Sequence, residues 1–228
     1  MKSVFITGAD RGIGFALCMC FLENGWQVFA GRFMKDWPQL DTLKKQYCER
    51  LSLVDLDVGD QLSVERAAAL VGEQTACLDM LVNCAGIAKK DCSEGTLQCL
   101  NINTMGPIRM VEAFLPLMEQ GEKKLCFVSS EAGSITLAHR SGSFSYCVSK
   151  TCLNMGVRLM FNRLQPMGYR FRLYHPGWVR TYMQGKKSTE GNFEAEETAA
   201  VAYQQFTSER NWEDVLIMSD VSNEIWPF

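Results

Sequence analysis

Tyr146 and Lys150 stand four positions apart in Tyr146-Cys147-Val148-Ser149-Lys150, a spacing that puts both side chains on one face of a helix. A phenol is a poor acid or base at neutral pH, with a free pKa of about 10. An ammonium held beside it favours the phenolate and lowers that value. Such a pair suits proton transfer to a developing alkoxide near pH 7. Alone the pair says little, because tyrosine and lysine at this spacing are common on solvated helix faces. Its meaning depends on what the rest of the chain brings to it.

A second candidate lies near the start of the chain, in Thr7-Gly8-Ala9-Asp10-Arg11-Gly12-Ile13-Gly14. Glycines between a strand and a helix let the backbone turn tightly and approach a diphosphate, and the helix N-terminus attracts its charge. Enzymes that use NAD usually carry an acidic residue about 20 positions further on, for the ribose 2′-hydroxyl. Here Gly31 and Arg32 occupy that region, and Arg11 lies in the turn itself. Two guanidinium groups suit a 2′-phosphate, so NADP(H) is expected over NAD(H).

The elements that must position these residues alternate. Apolar runs at 4–6, 26–30, 51–58, 80–82, 125–128, 171–174 and 215–218 read as strands. Helical patterns cover 13–24, 64–74, 97–119, the segment carrying Tyr146 and Lys150 to about 164, and 196–209. Asp60 or Ser63 is placed to cap the second of these, while Pro107 and Pro116 disturb the third. Residues 33–50 read as loop plus a short helix, and 182–195 as a polar, mobile segment. This order predicts an α/β doubly wound parallel sheet, a Rossmann fold, in a single domain over residues 1–228. Ligands of such folds bind beyond the carboxyl ends of the strands, where the polar clusters fall.

Composition narrows the function. The 228 residues carry 23 basic against 26 acidic side chains, a net charge of −3, which offers no surface for nucleic acid or an anionic membrane. No run approaches the roughly 18 apolar residues of a membrane span. The first residues enter a strand with no signal-peptide layout, and a cytoplasmic protein is expected. Of ten cysteines, Cys18, Cys20, Cys84, Cys99, Cys126 and Cys152 sit in apolar segments and read as reduced core thiols. No metal-ligand spacing is present. His139 and His175 read as a loop and a strand-end packing residue. Phe144, Trp178, Tyr182 and Met183 are candidates for an apolar substrate wall.

With these parts in place the sequence resembles the short-chain dehydrogenase/reductase family over essentially its whole length. The Gly8, Gly12, Gly14 spacing is that family's. Asp57-Val58 matches its adenine-contacting aspartate, and Asn83-Cys84-Ala85-Gly86 its N-N-A-G element with Cys84 in place of the second asparagine. Asn103, Ser130, Tyr146 and Lys150 match the catalytic tetrad, and Pro176-Gly177-Trp178-Val179-Arg180-Thr181 completes the set. The compact length and the His175-to-Val179 wording look most like the small NADPH-dependent carbonyl reductases of the sniffer and C-factor type. Ser134 competes with Ser130 on spacing; Ser130 is preferred because it ends a strand.

The resemblance implies reduction of a ketone or aldehyde by hydride transfer. Tyr146 would donate the proton, Ser130 bind the substrate oxygen, Lys150 lower the Tyr146 pKa and hold the nicotinamide ribose, and Asn103 position a relay water. The cofactor would lie against Gly8, Asp10, Arg11, Gly12, Ile13, Gly14, Arg32, Asp57, Val58, Asn83, Ala85, Gly86, Pro176, Gly177, Val179 and Thr181, with Tyr146 and Lys150. Cys84 would loosen that binding. The expected partner is a small carbonyl or alcohol, with homodimers or homotetramers open as in relatives. Two competing readings are a cofactor-binding regulator or scaffold with little catalysis, and an NAD-dependent alcohol dehydrogenase working in the oxidative direction.

Overall fold

The computed structural model describes residues 1–183, 185–210 and 213–228. Strands β1 (Ser3–Ile6), β2 (Gln27–Arg32), β3 (Leu51–Asp55), β4 (Met80–Asn83), β5 (Lys124–Val128), β6 (Arg170–His175), β7 (Met218–Asp220) and β8 (Ile225–Trp226) form one sheet in the order β3-β2-β1-β4-β5-β6-β7-β8. All neighbours pair in parallel except β7 with β8. The chain builds outward from β1 to β3, then returns to β4 and builds the other way. The switch point therefore lies between β1 and β4, where a crevice opens at the strand ends.

Alternation along each strand explains how both faces are covered. Val4 and Ile6 join an apolar cluster with α1 (Gly12–Glu23), α2 (Gln39–Gln46) and α7 (Ala195–Thr207). Phe5, between them, points to the opposite cluster, with α3 (Gln61–Gln74), α5 (Gly106–Met118) and α6 (Phe144–Leu164). Asp60 is the cap of α3, its carboxylate accepting from the Leu62 N–H. Among the described residues no helix is long and apolar enough to cross a membrane. All ten cysteines are free thiols.

Three elements depart from expectation. The helix expected over 97–119 is α4 (Ser93–Cys99), a π-helical turn at Leu100–Met105, and then α5. Pro107 is accommodated in the first turn of α5, where its missing N–H costs nothing. The last parallel strand starts at Met218 rather than at 215, because pairing begins where Leu173 meets Met218; a short antiparallel β8 follows. The described part of 182–195 is tied back to the site rather than loose. Asn192 and Phe193 donate to the Trp178 carbonyl, Ser188 to that of Thr181, and Val179 bridges Phe193. Gln184 lies outside the described residues.

Beneath β5 and β6 lies a buried charge cluster. Arg172, with 1% side-chain exposure, makes a two-pronged pair with Glu213 at 2.6 and 2.7 Å. Breaking a fully buried pair costs about 3–5 kcal/mol because the remaining charge is stranded. Glu213 retains 22% exposure, so Glu213→Ala is expected to cost nearer ~2 kcal/mol, read as a lower urea midpoint at unchanged m-value.

Candidate active site

The glycine turn follows β1 at the switch point. Gly8 and Gly12 have φ of +65° and +60°, the left-handed region that favours glycine. A side chain at Gly14 would put its Cβ 2.2 Å from the Gly8 carbonyl oxygen. Gly8 in turn presses on the loop after β4, where its own Cβ would lie 2.8 Å from the Ala85 Cα. The Thr7 hydroxyl locks the two loops together by accepting from the Cys84 and Ala85 N–H groups. Thr7 was not singled out from the sequence, although it opens the glycine turn.

Asn83, buried at the end of β4, has no hydrogen-bond partner on either side of its amide. Buried polar groups rarely stay unpaired, and such an orphan points to a group the site is built to receive. Together with the glycine cradle, it fits a bound dinucleotide. Burial pushes the neighbouring Cys84 thiol up to about 12, so it stays neutral. Gly86 lies beside Asn103 and Lys150, within 3.5 and 3.8 Å of a Cβ built on it.

Other expected cofactor residues take less direct positions. Asp10 faces β2 rather than the turn, accepting from the Phe33 and Met34 N–H groups at 3.1 and 2.8 Å. Arg11 lies against the rings of Trp37 and Tyr182 and donates to the Tyr182 carbonyl. This corrects the expectation that Tyr182 walls a substrate pocket: it stacks toward the glycine turn. Arg32 is not free either. Its strand partner is Asp55, which it contacts at 3.0 and 3.1 Å, and Asp41 accepts from it at 3.2 Å. Asp57 accepts from the Gly59 N–H, and Val58 packs against Gly106 with its carbonyl taken by Arg109.

The tetrad residues come together across the carboxyl ends of β4, β5 and β6. Ser130 begins the 3₁₀ turn Glu131–Gly133, its hydroxyl accepting from the Ala132 N–H. It lines the same cleft as Tyr146. Ser134 closes the same turn and accepts from the Leu137 N–H instead. Geometry thus favours Ser130. Asn103 lies in the π-helical turn, a distortion often found at functional sites. Its amide accepts from the Ile87 N–H and donates to the Ile87 carbonyl and the Ser149 hydroxyl, all within 2.9 Å. Both N–H donors are spent, so a relay water has only the remaining lone pair of the amide oxygen to use there.

Burial acts on both Tyr146 and Lys150. The Lys150 ammonium lies 5.7 Å from the Tyr146 ring centroid but donates to the Val128 carbonyl at 3.0 Å. Desolvation brings its pKa down to about 8. Desolvation also dominates at Tyr146, raising it to about 12; the Ser130 hydroxyl opposes this and the Glu131 charge adds to it. The phenol of the free protein thus stays protonated across the neutral range.

An open cleft of about 1520 Å³ joins these parts, lined by Ile13, Ser130, Tyr146, Gly177, Val179 and Thr181 among others. Pro176, Trp178 and Met183 also face it, whereas Phe144 and Cys147 line a smaller adjoining cavity of about 390 Å³. His175 is buried at the end of β6, edge-on to Trp226, and burial lowers its pKa. His139 is exposed on the loop. Two residues that sequence reasoning passed over line both cavities: Glu131, next to Ser130, and Arg140, which pairs with it. Among the described residues no group of His, Cys, Asp and Glu is placed to hold a metal ion.

Comparison with known proteins bears on the family and the fold. The family model for short chain dehydrogenase matches residues 2–192. Estradiol 17-beta-dehydrogenase 2 of Mus musculus is 30% identical over 204 residues, covering 86% of this chain and 52% of that protein. The C-signal protein of Myxococcus xanthus is 37% identical over 122 residues, 50% of this chain and 74% of its own. The chain thus spans about half the length of the estradiol dehydrogenase. Among solved structures, the NADPH-bound carbonyl reductase from chicken fatty liver superposes with a TM-score of 0.85 at 27% identity, covering 100% of this chain and 99% of the other. The carbonyl reductase Sniffer of D. melanogaster gives 0.90 at 23% identity with both chains fully covered, a likeness of fold.

Proposed function

The chain belongs to the short chain dehydrogenase family of oxidoreductases, and on that premise we propose that it is an NADPH-dependent carbonyl reductase. The observation that supports the direction is Tyr146, which lines the cleft beside Ser130 and which burial keeps in its protonated form at neutral pH. A site that must give a proton to a nascent alkoxide needs such an acid. NADPH, when bound, supplies the hydride that reaches the carbonyl carbon.

The chain's own residues do the rest. Tyr146 donates its hydroxyl proton to the substrate oxygen as negative charge grows there. Ser130, fixed at the end of β5, offers a hydrogen bond to the same oxygen, stabilisation that is worth most when the charge is greatest. Lys150 keeps a cation close behind Tyr146 and contributes to holding the ribose. Val179 and Thr181, on the strap after β6, hold the carboxamide and orient the ring. Asn103 fixes the loop carrying Ile87 and, through Ser149, the helix carrying Lys150.

NADP(H) is the favoured cofactor. No carboxylate of β2 faces the ribose position, and Arg11 is held at the glycine turn by two aromatic rings. Arg32 can keep its bonds to Asp55 while turning one nitrogen outward. What it gives up is the Asp41 contact, an exposed pair worth about 0–1 kcal/mol. The bound carbonyl reductase from chicken is consistent with that choice.

The test is nicotinamide absorbance followed against a panel of aldehydes and ketones. Turnover with NADPH, exceeding that with NADH by about tenfold or more, is the expected result. Tight NADPH binding without turnover of any carbonyl supports a regulator instead. Faster alcohol oxidation with NAD supports the oxidative reading.

A further inference from the structure

A serine hydroxyl has one proton to give and two lone pairs to accept with. At Ser130 nearly all of this capacity is committed within the protein. One lone pair takes the Ala132 N–H at 3.2 Å. The proton goes to Glu131 Oε2 at 2.5 Å, at the short end of the range for a hydroxyl on a carboxylate. What remains is one lone pair, and Tyr146 lines the same cleft as Ser130, Glu131 and Arg140. A hydroxyl that offers only a lone pair requires its partner to be the donor.

Glu131 is itself held in place. Arg140 grips the other carboxylate oxygen through Nε at 2.9 Å and through Nη2, leaving Oε2 for Ser130. The Glu131 side chain keeps 15% exposure. His175 Nδ1 stands 4.0 Å from Oε2, beyond hydrogen-bond length, and accepts from the Gly177 N–H, which places its proton on the far nitrogen.

We propose that Glu131, anchored by Arg140, is a positioning residue that fixes the direction of the Ser130 hydroxyl and thereby holds Tyr146 as the hydrogen-bond donor, the form from which the site gives its proton. The proposal rests on the carbonyl-reductase reading for its kinetic meaning, although the arrangement exists without turnover. In the ground state Ser130 gives its proton to Glu131. The substrate oxygen competes for that proton only as it becomes negative, so the Ser130 contact strengthens in the transition state rather than on binding.

Electrostatics agree in sign. Burial works to raise the Glu131 pKa, but the Ser130 and Arg140 bonds and the Arg140 and His175 charges hold it below the usual carboxylate range. It is therefore an anion at neutral pH. The groups facing Tyr146 are Glu131 on the 3₁₀ turn, Arg140 on the following loop, and Cys147 and Lys150 on α6; His175 and, behind it, Asp220 face Glu131 from β6 and β7. Of these, Glu131 disfavours the tyrosinate and Arg140 favours it.

Two substitutions give opposite signs. Glu131→Gln keeps the shape, removes the charge and frees the Ser130 proton for the phenolate, so Tyr146 ionises at lower pH by about one unit. Arg140→Met leaves the Glu131 charge uncompensated and moves ionisation to higher pH. Two readouts follow it: tyrosinate absorbance, each protein minus its own Tyr146→Phe counterpart, and the alkaline fall of reductive kcat with NADPH. In Glu131→Gln both appear at pH values where the wild type is still flat; in Arg140→Met they do not. Identical titration in Glu131→Gln and wild type, or shifts of one sign in both variants, overturns the proposal. A wild type without carbonyl turnover sinks the reductase reading alone, because the absorbance titration still decides whether Glu131 governs Tyr146.

Discussion

Tyr146→Phe is expected to lower kcat by about a hundred- to ten-thousand-fold, the range for losing a positioned general acid, while the NADPH dissociation constant stays within about twofold. The asymmetry follows from what the substitution removes. The ring stays, and with it the contact with the Lys150 ammonium at 5.7 Å. The hydroxyl goes, and with it the proton that the reaction must place on the substrate oxygen. Ser130 cannot substitute, because its proton is already directed at Glu131. Steady-state turnover beside a fluorescence titration of NADPH separates the two effects. Near-full turnover in this variant would remove Tyr146 from the chemistry.

Gly14→Ala acts on binding instead. The added Cβ meets the Gly8 carbonyl oxygen at 2.2 Å, a backbone atom that no rotamer change can move aside. Gly8 cannot retreat, because it already rests against Ala85, and the Thr7 hydroxyl pins that loop. The strain of forcing an extra carbon into a packed site is about 1–3 kcal/mol. It appears as a lower melting temperature and, since the displaced turn is the dinucleotide cradle, as NADPH affinity weakened by about tenfold or more. Unchanged affinity would mean that the turn does not receive the cofactor.

Much of this was legible in the sequence because local patterns and global fold agree. Apolar runs alternating with helical periodicity imply the parallel sheet, and the switch point then brings the loops after β1 and β4 together. Tyr146 and Lys150 share a helix, so their proximity needed no tertiary information. What escaped depends on partners distant in sequence. The π-helical turn at Asn103 is fixed by Ile87 and Ser149, from two other elements. Arg32 reads as a free cation until the β2–β3 register sets it opposite Asp55. Val215-Leu216-Ile217 has the composition of a strand, but its neighbour β6 is available only from Leu173, which pairs with Met218. Glu131 looked like a filler between Ser130 and Gly133; only the fold of the following loop, which returns Arg140 to it, gives it a place in the site.

These observations make the catalytic pair more specific than its spacing suggested. Lys150 gives one of its three N–H donors to the Val128 carbonyl, while Ser130 and Glu131, bonded to each other, line the cleft that Tyr146 faces. Burial in that site keeps the phenol protonated across the neutral range in the free protein.

The most direct measurement uses NADPH deuterated at the transferred position, with the purified protein and those aldehydes or ketones that consume it. Mass spectrometry of the product alcohol should find one deuterium on the former carbonyl carbon, in proportion to cofactor oxidised, with both signals lost in Tyr146→Phe. Cofactor consumed without deuterium in the alcohol, or bound tightly with no alcohol formed, would contradict the account.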